Sequence, residues 1–325
     1  MRAKILQAFS EASGGYISGG ELAQRLDVSR TAVWKQIVAL RELGYVVEAA
    51  PRKGYRLVER PDRLYPWELQ ARLQTNIVGR EIAYYERVGS TNDLAREMAR
   101  HGAPEGTMVV AEEQTAGKGR RGRSWTSPFA EGIFASLILR PTMSPFEAPK
   151  LTLLAAVAVC QAIRAACGLE AVLKWPNDVQ VEGKKVCGIL VEMSAELDRV
   201  NYAVIGSGIN ANVRPESFPP EVQNSAGSLK EFTGSHVDRV VLLVEYLQHL
   251  ERLYQQGLED QFQTLIDEVR RLCITTGKWV AVHTNEEVWE GRAVAIDDAG
   301  ALVVVDTQGR EHHLHSGEVS IRHSK

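Results

Sequence analysis

The turn Glu182-Gly183-Lys184 joins two apolar β-prone runs, Val179 to Val181 and Val186 to Val191. A parallel pair needs a crossover of about a dozen residues or more, so these two strands must run antiparallel. Further strand-like runs occur at Thr107 to Ala111, Ile133 to Leu139, Val172 to Leu173 and Tyr202 to Ile205, with a helical run at Leu151 to Ala166. Hairpins outnumber crossovers, which predicts an antiparallel or mixed sheet backed by helices and favours α+β over a doubly wound fold.

The first sixty residues have a different texture. Leu22, Ala23 and Leu26 form a short apolar stripe, Asp27-Val28-Ser29 breaks it, and Val33, Ile37 and Leu40 recur at helical spacing until Gly44. This is helix, tight turn, helix, with Ser29 suited to the N-cap and Gly44 to the left-handed position after the last turn. Burial of the apolar stripe leaves Arg30, Thr31 and Lys35 outward near the start of the second helix, where a recognition helix meets DNA. Val46-Val47 and Tyr55-Arg56-Leu57 read as a hairpin around Pro51-Arg52-Lys53-Gly54, whose basic tip, Arg52 and Lys53, could lie along phosphates. The pattern is that of a winged helix-turn-helix. Residues 1–60 hold ten Lys/Arg against six Asp/Glu, a balance of +4, so the rest of the chain carries −7 of the total of −3. A basic N-terminal domain on an acidic body assigns any nucleic-acid contact to that domain.

Asp238 to Cys273 reads as long amphipathic helix interrupted near Gly257, and after it the period changes to short strands at Trp279 to His283, Gly291 to Ile296, Ala301 to Val305, Glu311 to His315 and Val319 to Ile321. These fit a small SH3-like barrel. The expected organisation is α+β multidomain: 1–60 a winged helix-turn-helix, 66–273 a central mixed-sheet domain and 274–325 the barrel. His312, His313 and His315 do not make a metal site, because strand alternation sends His312 to the opposite face. The run Leu151 to Cys160 is too short for a membrane span, so no membrane association is expected. The four scattered cysteines show no CxxC pairing, and no secretory signal is read; a cytoplasmic location is expected.

The densest chemistry lies in Gly117-Lys118-Gly119-Arg120-Arg121-Gly122-Arg123-Ser124-Trp125, where four cations alternate with three glycines. It contains GxGxxG, but the residues after it read as loop and strand rather than helix, so a dinucleotide fold is rejected; no GxxxxGK[ST] pattern is present either. Glycines let backbone N–H groups approach an anion and guanidinium forks clamp phosphate oxygens, so the loop suits a nucleotide or acyl phosphate. Ser90-Thr91-Asn92 is an N-cap cluster whose polar groups could equally hold a urea-like ring. Gly206 to Asn212 reads as a glycine-rich exit from a strand.

Taken in order, Ser90-Thr91-Asn92, Gln114, Gly117 to Arg123, Lys174-Trp175-Pro176-Asn177-Asp178, Lys184 to Glu192 and Gly206 to Asn210 resemble the bifunctional biotin-protein ligase and biotin operon repressor family over the whole chain. The resemblance implies a central domain like the catalytic domains of class II synthetases, with winged helix and barrel at its ends. It places biotin on Ser90, Thr91, Asn92 and Gln114, with Gly117, Lys118, Gly119 and Arg120 alongside. Trp125, Gly188, Gly208 and Asn210 complete the implied ligand-binding set. Lys185 is the implied catalytic lysine, aided by Arg120 and Arg123, with Asp178 a conceivable Mg²⁺ contact. The family loop commonly has arginine where Lys118 stands, a change that keeps charge but loses a bidentate fork.

The implied activity is that of an ATP-dependent biotin-[acetyl-CoA-carboxylase] ligase. Biotin and ATP form biotinyl-5'-AMP, and a lysine of the biotin carboxyl carrier protein of acetyl-CoA carboxylase then takes the biotinyl group. The same adenylate would act as corepressor, favouring a homodimer that binds operator DNA. Two alternatives remain open at this point: a lipoate-type protein ligase, and a non-catalytic metabolite-sensing repressor.

Overall fold

A computed structural model describes residues 1–283, 287–315 and 317–322; residues 284–286, 316 and 323–325 of the expected C-terminal barrel lie outside the described residues. The chain divides into two compact units, Met1–Arg72 and Leu73–Lys325.

In the first unit, α1 (Arg2–Glu11), α2 (Gly19–Leu26) and α3 (Arg30–Glu42) precede a hairpin of β1 (Val46–Ala50) and β2 (Gly54–Glu59), and α4 (Pro66–Gln70) comes last. Ile5, Leu6, Leu22, Val33, Ile37 and Leu40 are buried and form its core. Ser29 caps α3 by accepting from Ala32 N at 3.1 Å, and Ser18 caps α2 by accepting from Glu21 N at 3.0 Å. Gly44 takes φ +92°, the left-handed geometry expected of it. Ile17 exchanges both backbone hydrogen bonds with Tyr55, which adds a third short strand to the hairpin. Residues beyond Arg60 belong to this unit through Glu68, whose buried carboxylate accepts from Tyr45 at 2.7 Å and from Arg60 at 2.6 Å.

The second unit is built on the sheet β3 (Ile82–Val88), β4 (Met108–Gln114), β5 (Ile133–Leu139), β6 (Ala171–Lys174), β7 (Asp178–Val181), β8 (Lys184–Ala195) and β9 (Val200–Ile209), in the order β3-β4-β5-β9-β8-β7-β6. Only β3 and β4 pair in parallel; every other strand pairing in this sheet is antiparallel, including β7 with β8, as the short turn between them required. Glu182 and Gly183 both take positive φ, 48° and 82°, the geometry of a tight primed hairpin turn. α5 (Thr91–Arg100) links β3 to β4, and α6 (Pro149–Cys167) packs on β6 and β8 on one side and on the long helix Arg239–Asp260 on the other. By length and composition α6 could cross a membrane, but here its Leu and Val side chains are buried in the core, each contributing about 1.5–3 kcal/mol.

After α7 (Leu229–Thr233), α8 (Arg239–Asp260) and α9 (Gln263–Leu272) complete the helical layer around α6. The helix break falls at Gln261 and Phe262, both left-handed, four residues beyond the expected Gly257. Gly257 stays helical and serves packing instead: a Cβ there would meet the Phe262 ring at 2.3 Å. Two buried ionic groups tie α8 to the sheet side. Arg239 meets Glu112 at 2.9 Å with both fully buried, and Glu251 accepts from the backbone N–H groups of Asn76, Ile77 and Val78 at 2.6, 2.8 and 2.7 Å. β10 (Trp279–His283), β11 (Val288–Ile296), β12 (Leu302–Asp306), β13 (Glu311–Leu314) and β14 (Glu318–Ile321) form a separate antiparallel sheet in the order β13-β12-β11-β10-β14, within the same compact unit.

Candidate functional site

A cleft of about 650 Å³ opens over β8 and β9. Its floor is glycine: a Cβ at Gly206 would lie 2.0 Å from Asn92 Oδ1, and one at Gly208 would lie 2.4 Å from Trp125 Nε1. Those glycines lie inside β9, not in an exit turn after it as the sequence suggested, because side chains from α5 and the basic loop occupy the space a Cβ would need. Ser207 between them backs onto α8, with its hydroxyl 2.6 Å from Tyr246 Oη.

One end of the cleft is a buried polar cradle. Ser90, Thr91 and Asn92 are each at most 4 % exposed. Ser90 holds the N-cap position of α5 but its side chain makes no capping bond. The Thr91 N–H donates to Gln114 Oε1 at 2.8 Å, and Gln114 Nε2 donates to Ser127 Oγ at 3.0 Å. Asn92 Nδ2 donates to Glu192 Oε2 at 2.9 Å. Thr91, Asn92 and Gln114 are thus neutral groups held in fixed orientation, suited to a small polar ring rather than to an ion.

The basic loop forms one wall. Gly119 N donates to Arg123 O at 2.7 Å and Trp125 N to Gly117 O at 2.8 Å, so the segment folds back on itself around a short turn at Arg120–Gly122. A Cβ at Gly117 would strike Trp125 O at 2.5 Å, which makes that glycine a packing requirement. Arg120 donates to Asn177 Oδ1 at 2.9 Å, Lys118 pairs with Asp93 at 2.7 Å, and Arg121 donates to His283 O at 3.1 Å. Arg123 lines the cleft and is exposed.

Lys185 stands where β8 leaves its hairpin. Its Nζ is 2.6 Å from Asp178 Oδ1 and 5.3 Å from the centre of the Trp125 ring, which lies against Gly188 and Gly208. Trp125 Nε1 is buried with no hydrogen-bond partner, and so is Asn210 Oδ1, whose amide nitrogen donates to Gly227 O at 3.1 Å. Lys184 pairs with Glu231 at 2.6 Å, away from the cleft chemistry. Asp178 is engaged by Lys185, and among the described residues no group of three or more His, Cys, Asp or Glu could hold a metal. The protein side therefore does not fit a dedicated metal site.

Several groups in or behind the cleft wall were assigned no role from the sequence. Asn177 orients Arg120, Glu192 orients Asn92, and Ser136 sits beneath the cradle. Phe218 and Val222 border the cleft from the 215–227 stretch, which Lys185 holds by donating to Ser225 O at 2.7 Å and accepting from Gly227 N at 3.0 Å. Gly317, Val319 and Ser320 close another side. Asn177 and Glu192 lie inside quoted motifs but take their roles from distant partners; the others are brought in by long-range pairing and carry no local motif.

In the first unit, Arg30, Thr31 and Lys35 are exposed on α3, opposite buried Val33, Ile37 and Leu40. Trp34 joins them at 54 % exposure, one turn on from Arg30, an outward aromatic that reading for basic residues alone passed over. Arg52 and Lys53 are exposed at the hairpin tip, Arg52 with φ 64°, and Lys53 Nζ lies 5.8 Å from the Tyr16 ring centre. Gly54 is required at the tip's end, since a Cβ would meet Ile17 O at 2.1 Å.

Residues 84–210 match the biotin/lipoate A/B protein ligase family, residues 2–56 a helix-turn-helix domain family, and residues 275–322 the biotin protein ligase C-terminal domain. The bifunctional ligase/repressor BirA of Bacillus spizizenii is 40% identical over 321 residues, 99% of this chain and 98% of its own. Its Escherichia coli counterpart is 28% identical, across 96% and 94% of the two chains. Among solved structures, the biotin protein ligase of Aquifex aeolicus in complex with biotin and ATP superposes with a TM-score of 0.65 at 28% identity, covering 75% of this chain and 100% of that one. With all three domain families present and this likeness running from end to end, the chain belongs to the biotin protein ligases, in the branch of bifunctional ligase/repressors.

Proposed function

We propose that this protein joins biotin to ATP to form biotinyl-5'-AMP, transfers the biotinyl group to a lysine of the biotin carboxyl carrier protein of acetyl-CoA carboxylase, and represses transcription in response to biotin. The observation that carries the reading is the convergence in one cleft of a neutral polar cradle, a glycine-cation loop and Lys185.

In the first step a carboxylate oxygen of biotin attacks the α-phosphorus of ATP, the new P–O bond forms, and the bond to pyrophosphate breaks. Ser90, Thr91, Asn92 and Gln114 hold the ureido ring, and Trp125 on Gly188 and Gly208 flanks the apolar part of the ligand. The backbone of Gly117, Lys118 and Gly119 approaches the anionic groups. Lys185, Arg120 and Arg123 stabilise negative charge that develops between carboxylate and phosphate. The ammonium of Lys185 is pre-positioned by Asp178, so little reorganisation is needed as charge builds. Asn210 and the 215–227 stretch face the nucleotide end. Mg²⁺ would accompany the triphosphate rather than be caged by protein groups, and no step is routed through it. In the second step the carrier ε-amine attacks the acyl carbon, the acyl–oxygen bond breaks, AMP leaves and the amine sheds a proton.

The central domain reads as akin to class II synthetases and the C-terminal sheet as an SH3-like barrel. α3 presents Arg30, Thr31 and Lys35 to operator DNA while Arg52 and Lys53 track the phosphate backbone, in a cytoplasmic protein that dimerises when the adenylate is bound. Dimerisation places two recognition helices at the spacing of a two-fold operator. Pyrophosphate release that requires both biotin and ATP tests the ligase half; operator retention measured with and without that pair tests the repressor half. Release driven by lipoate instead of biotin would contradict the substrate assignment.

A further inference from the structure

One row of positions crosses four strands of the large sheet. Gly208 on β9 is in register with Gly188 on β8, Gly188 with Asp178 on β7, and Asp178 with Lys174 on β6. Residues directly opposite across antiparallel strands share a face, so Lys174 belongs to the cleft face, two strands and about 10 Å beyond Gly188. It lines the cleft and is half-buried. Of the three lysines that line the cleft among the described residues, two are neutralised: Lys118 meets Asp93 at 2.7 Å and Lys185 meets Asp178 at 2.6 Å. The ammonium of Lys174 has no carboxylate or hydrogen-bond acceptor among the described residues. Lys185, Asp178 and Lys174 together therefore leave one positive charge, at the β6 side.

The path of the ligand decides what that charge meets. The polar cradle lies over β9 and β8, since a Cβ at Gly206 would strike Asn92 and Asn92 Nδ2 donates to Leu190 O at 3.3 Å. Trp125 follows, against Gly208 and Gly188, and then Lys185 beside Asp178. A carboxylate reaching Lys185 from the cradle therefore travels from β9 toward β7. Displacement at phosphorus keeps the attacking and leaving oxygens roughly in line. The nucleoside lies off that line, toward Asn210 and the 215–227 stretch, while the leaving group continues along it, toward Lys174 on β6.

We propose that Lys174 forms the pyrophosphate subsite of the cleft, receiving the outer phosphates of ATP and then the departing pyrophosphate. The inference rests on reading the cleft as an adenylate-forming site. As the carboxylate oxygen bonds to the α-phosphorus, the bond to pyrophosphate breaks and its electron pair stays on pyrophosphate, where the Lys174 ammonium offsets the new charge. Once pyrophosphate has left, the subsite is empty, so Lys174 takes no part in transfer to the carrier.

Half-reactions of the full chain isolate this role, and Lys174→Met removes the charge while keeping most of the apolar stem. With preformed biotinyl-5'-AMP, Mg²⁺ and added inorganic pyrophosphate, a pyrophosphate oxygen attacks the α-phosphorus, the bond from phosphorus to the acyl oxygen breaks, and ATP and biotin form. The variant should need about ten times more pyrophosphate for half-maximal rate, and its single-turnover pyrophosphate release from biotin and ATP should slow about ten- to a hundredfold. Calorimetric biotin affinity, and transfer from preformed adenylate to a carrier domain, should each change less than about twofold. Lys174→Arg keeps the charge and should stay within about threefold of the unsubstituted protein in its pyrophosphate dependence. Unchanged pyrophosphate dependence in Lys174→Met would overturn the subsite, and so would equal losses in every step. A loss confined to carrier transfer would also overturn it and make Lys174 an acceptor contact. If circular dichroism shows Lys174→Met unfolded, Lys174→Gln carries the same expectations. Absence of pyrophosphate release by the unsubstituted protein would refute the adenylate reading itself; release indifferent to Lys174 would refute only the subsite.

Discussion

Asp178 and Lys185 face each other across the β7–β8 hairpin with 2.6 Å between carboxylate and ammonium. The pair holds the lysine over the Trp125 ring without burying it, since both side chains keep partial exposure. Lys185→Ala should lower adenylate formation by about 10²–10³-fold, the usual loss when one preorganised charge stabiliser is removed. Biotin binding should fall far less, because the cradle does not use this ammonium. Single-turnover pyrophosphate release alongside biotin titration separates the two effects, and equal losses in both would remove Lys185 from the chemical step.

Gly206 and Gly208 allow no side chain. Gly206→Ala would drive its methyl into Asn92, and Gly208→Ala into Trp125. Overpacking of this kind costs about 1–3 kcal/mol. Since β9 is held on both sides by β5 and β8, relief should come from the ligand-facing side chains rather than from the strand. Both variants should fold with near-normal melting temperature and bind biotin about ten to a hundred times more weakly. Normal binding would mean that Asn92 and Trp125 are free to move aside.

On α3, Trp34→Ala and Lys35→Ala should weaken operator binding differently. Loss of an apolar contact to base or sugar by Trp34 should cost about 1–3 kcal/mol and relax sequence preference. Removing the Lys35 charge should weaken all sequences alike and reduce the salt slope by about one. Neither should alter carrier biotinylation. Binding assays over a salt series on operator and scrambled duplexes distinguish the two; identical behaviour of the variants would contradict this division of roles.

Burial, then the neighbouring Glu68 carboxylate, pushes the Tyr45 phenol far above its ordinary value. A group with a raised folded-state pKa gives stability that is complete below its unfolded value, about 10, and is lost as pH climbs above it. Hydrogen exchange over residues 40–72 should therefore accelerate above that pH beyond the intrinsic rise. Tyr45→Phe should flatten this dependence while lowering stability at neutral pH by about 1–3 kcal/mol, since Glu68 loses a donor and Trp67 its acceptor at 2.9 Å. An unchanged alkaline slope in the variant would remove Tyr45 as the titrating group.

Local spacing was the part of the fold that could be read directly. The 182–184 turn, the Ser29 cap and the bounds of β5 all come from periodicity and turn chemistry within a few residues. What escaped depends on distant partners. Gly206 to Ile209 looked like a strand exit because the reason for its glycines, Asn92 and Trp125, lies about a hundred residues away in the chain. The helix break was expected near Gly257, whereas here that glycine stays helical and accommodates Phe262. Arg239 and Glu112 each look like ordinary charged residues, and only the packing of α8 against the sheet buries them together. In the site, Ser90, Thr91, Asn92, Gln114 and Lys185 could be named from motif order, while the parts of Asn177 in holding Arg120 and of Glu192 in holding Asn92 depend on partners 57 and 100 residues away, and Ser136 belongs to no motif.

The most direct measurement is the intact mass of a biotin carboxyl carrier domain after incubation with this protein, ATP and Mg²⁺, with biotin or lipoate added in parallel. A gain of one biotinyl group, with biotin alone and lost on removal of ATP, is the expected result. A gain with lipoate only, or none where a known biotin ligase modifies the same acceptor, would contradict the assignment of this cleft.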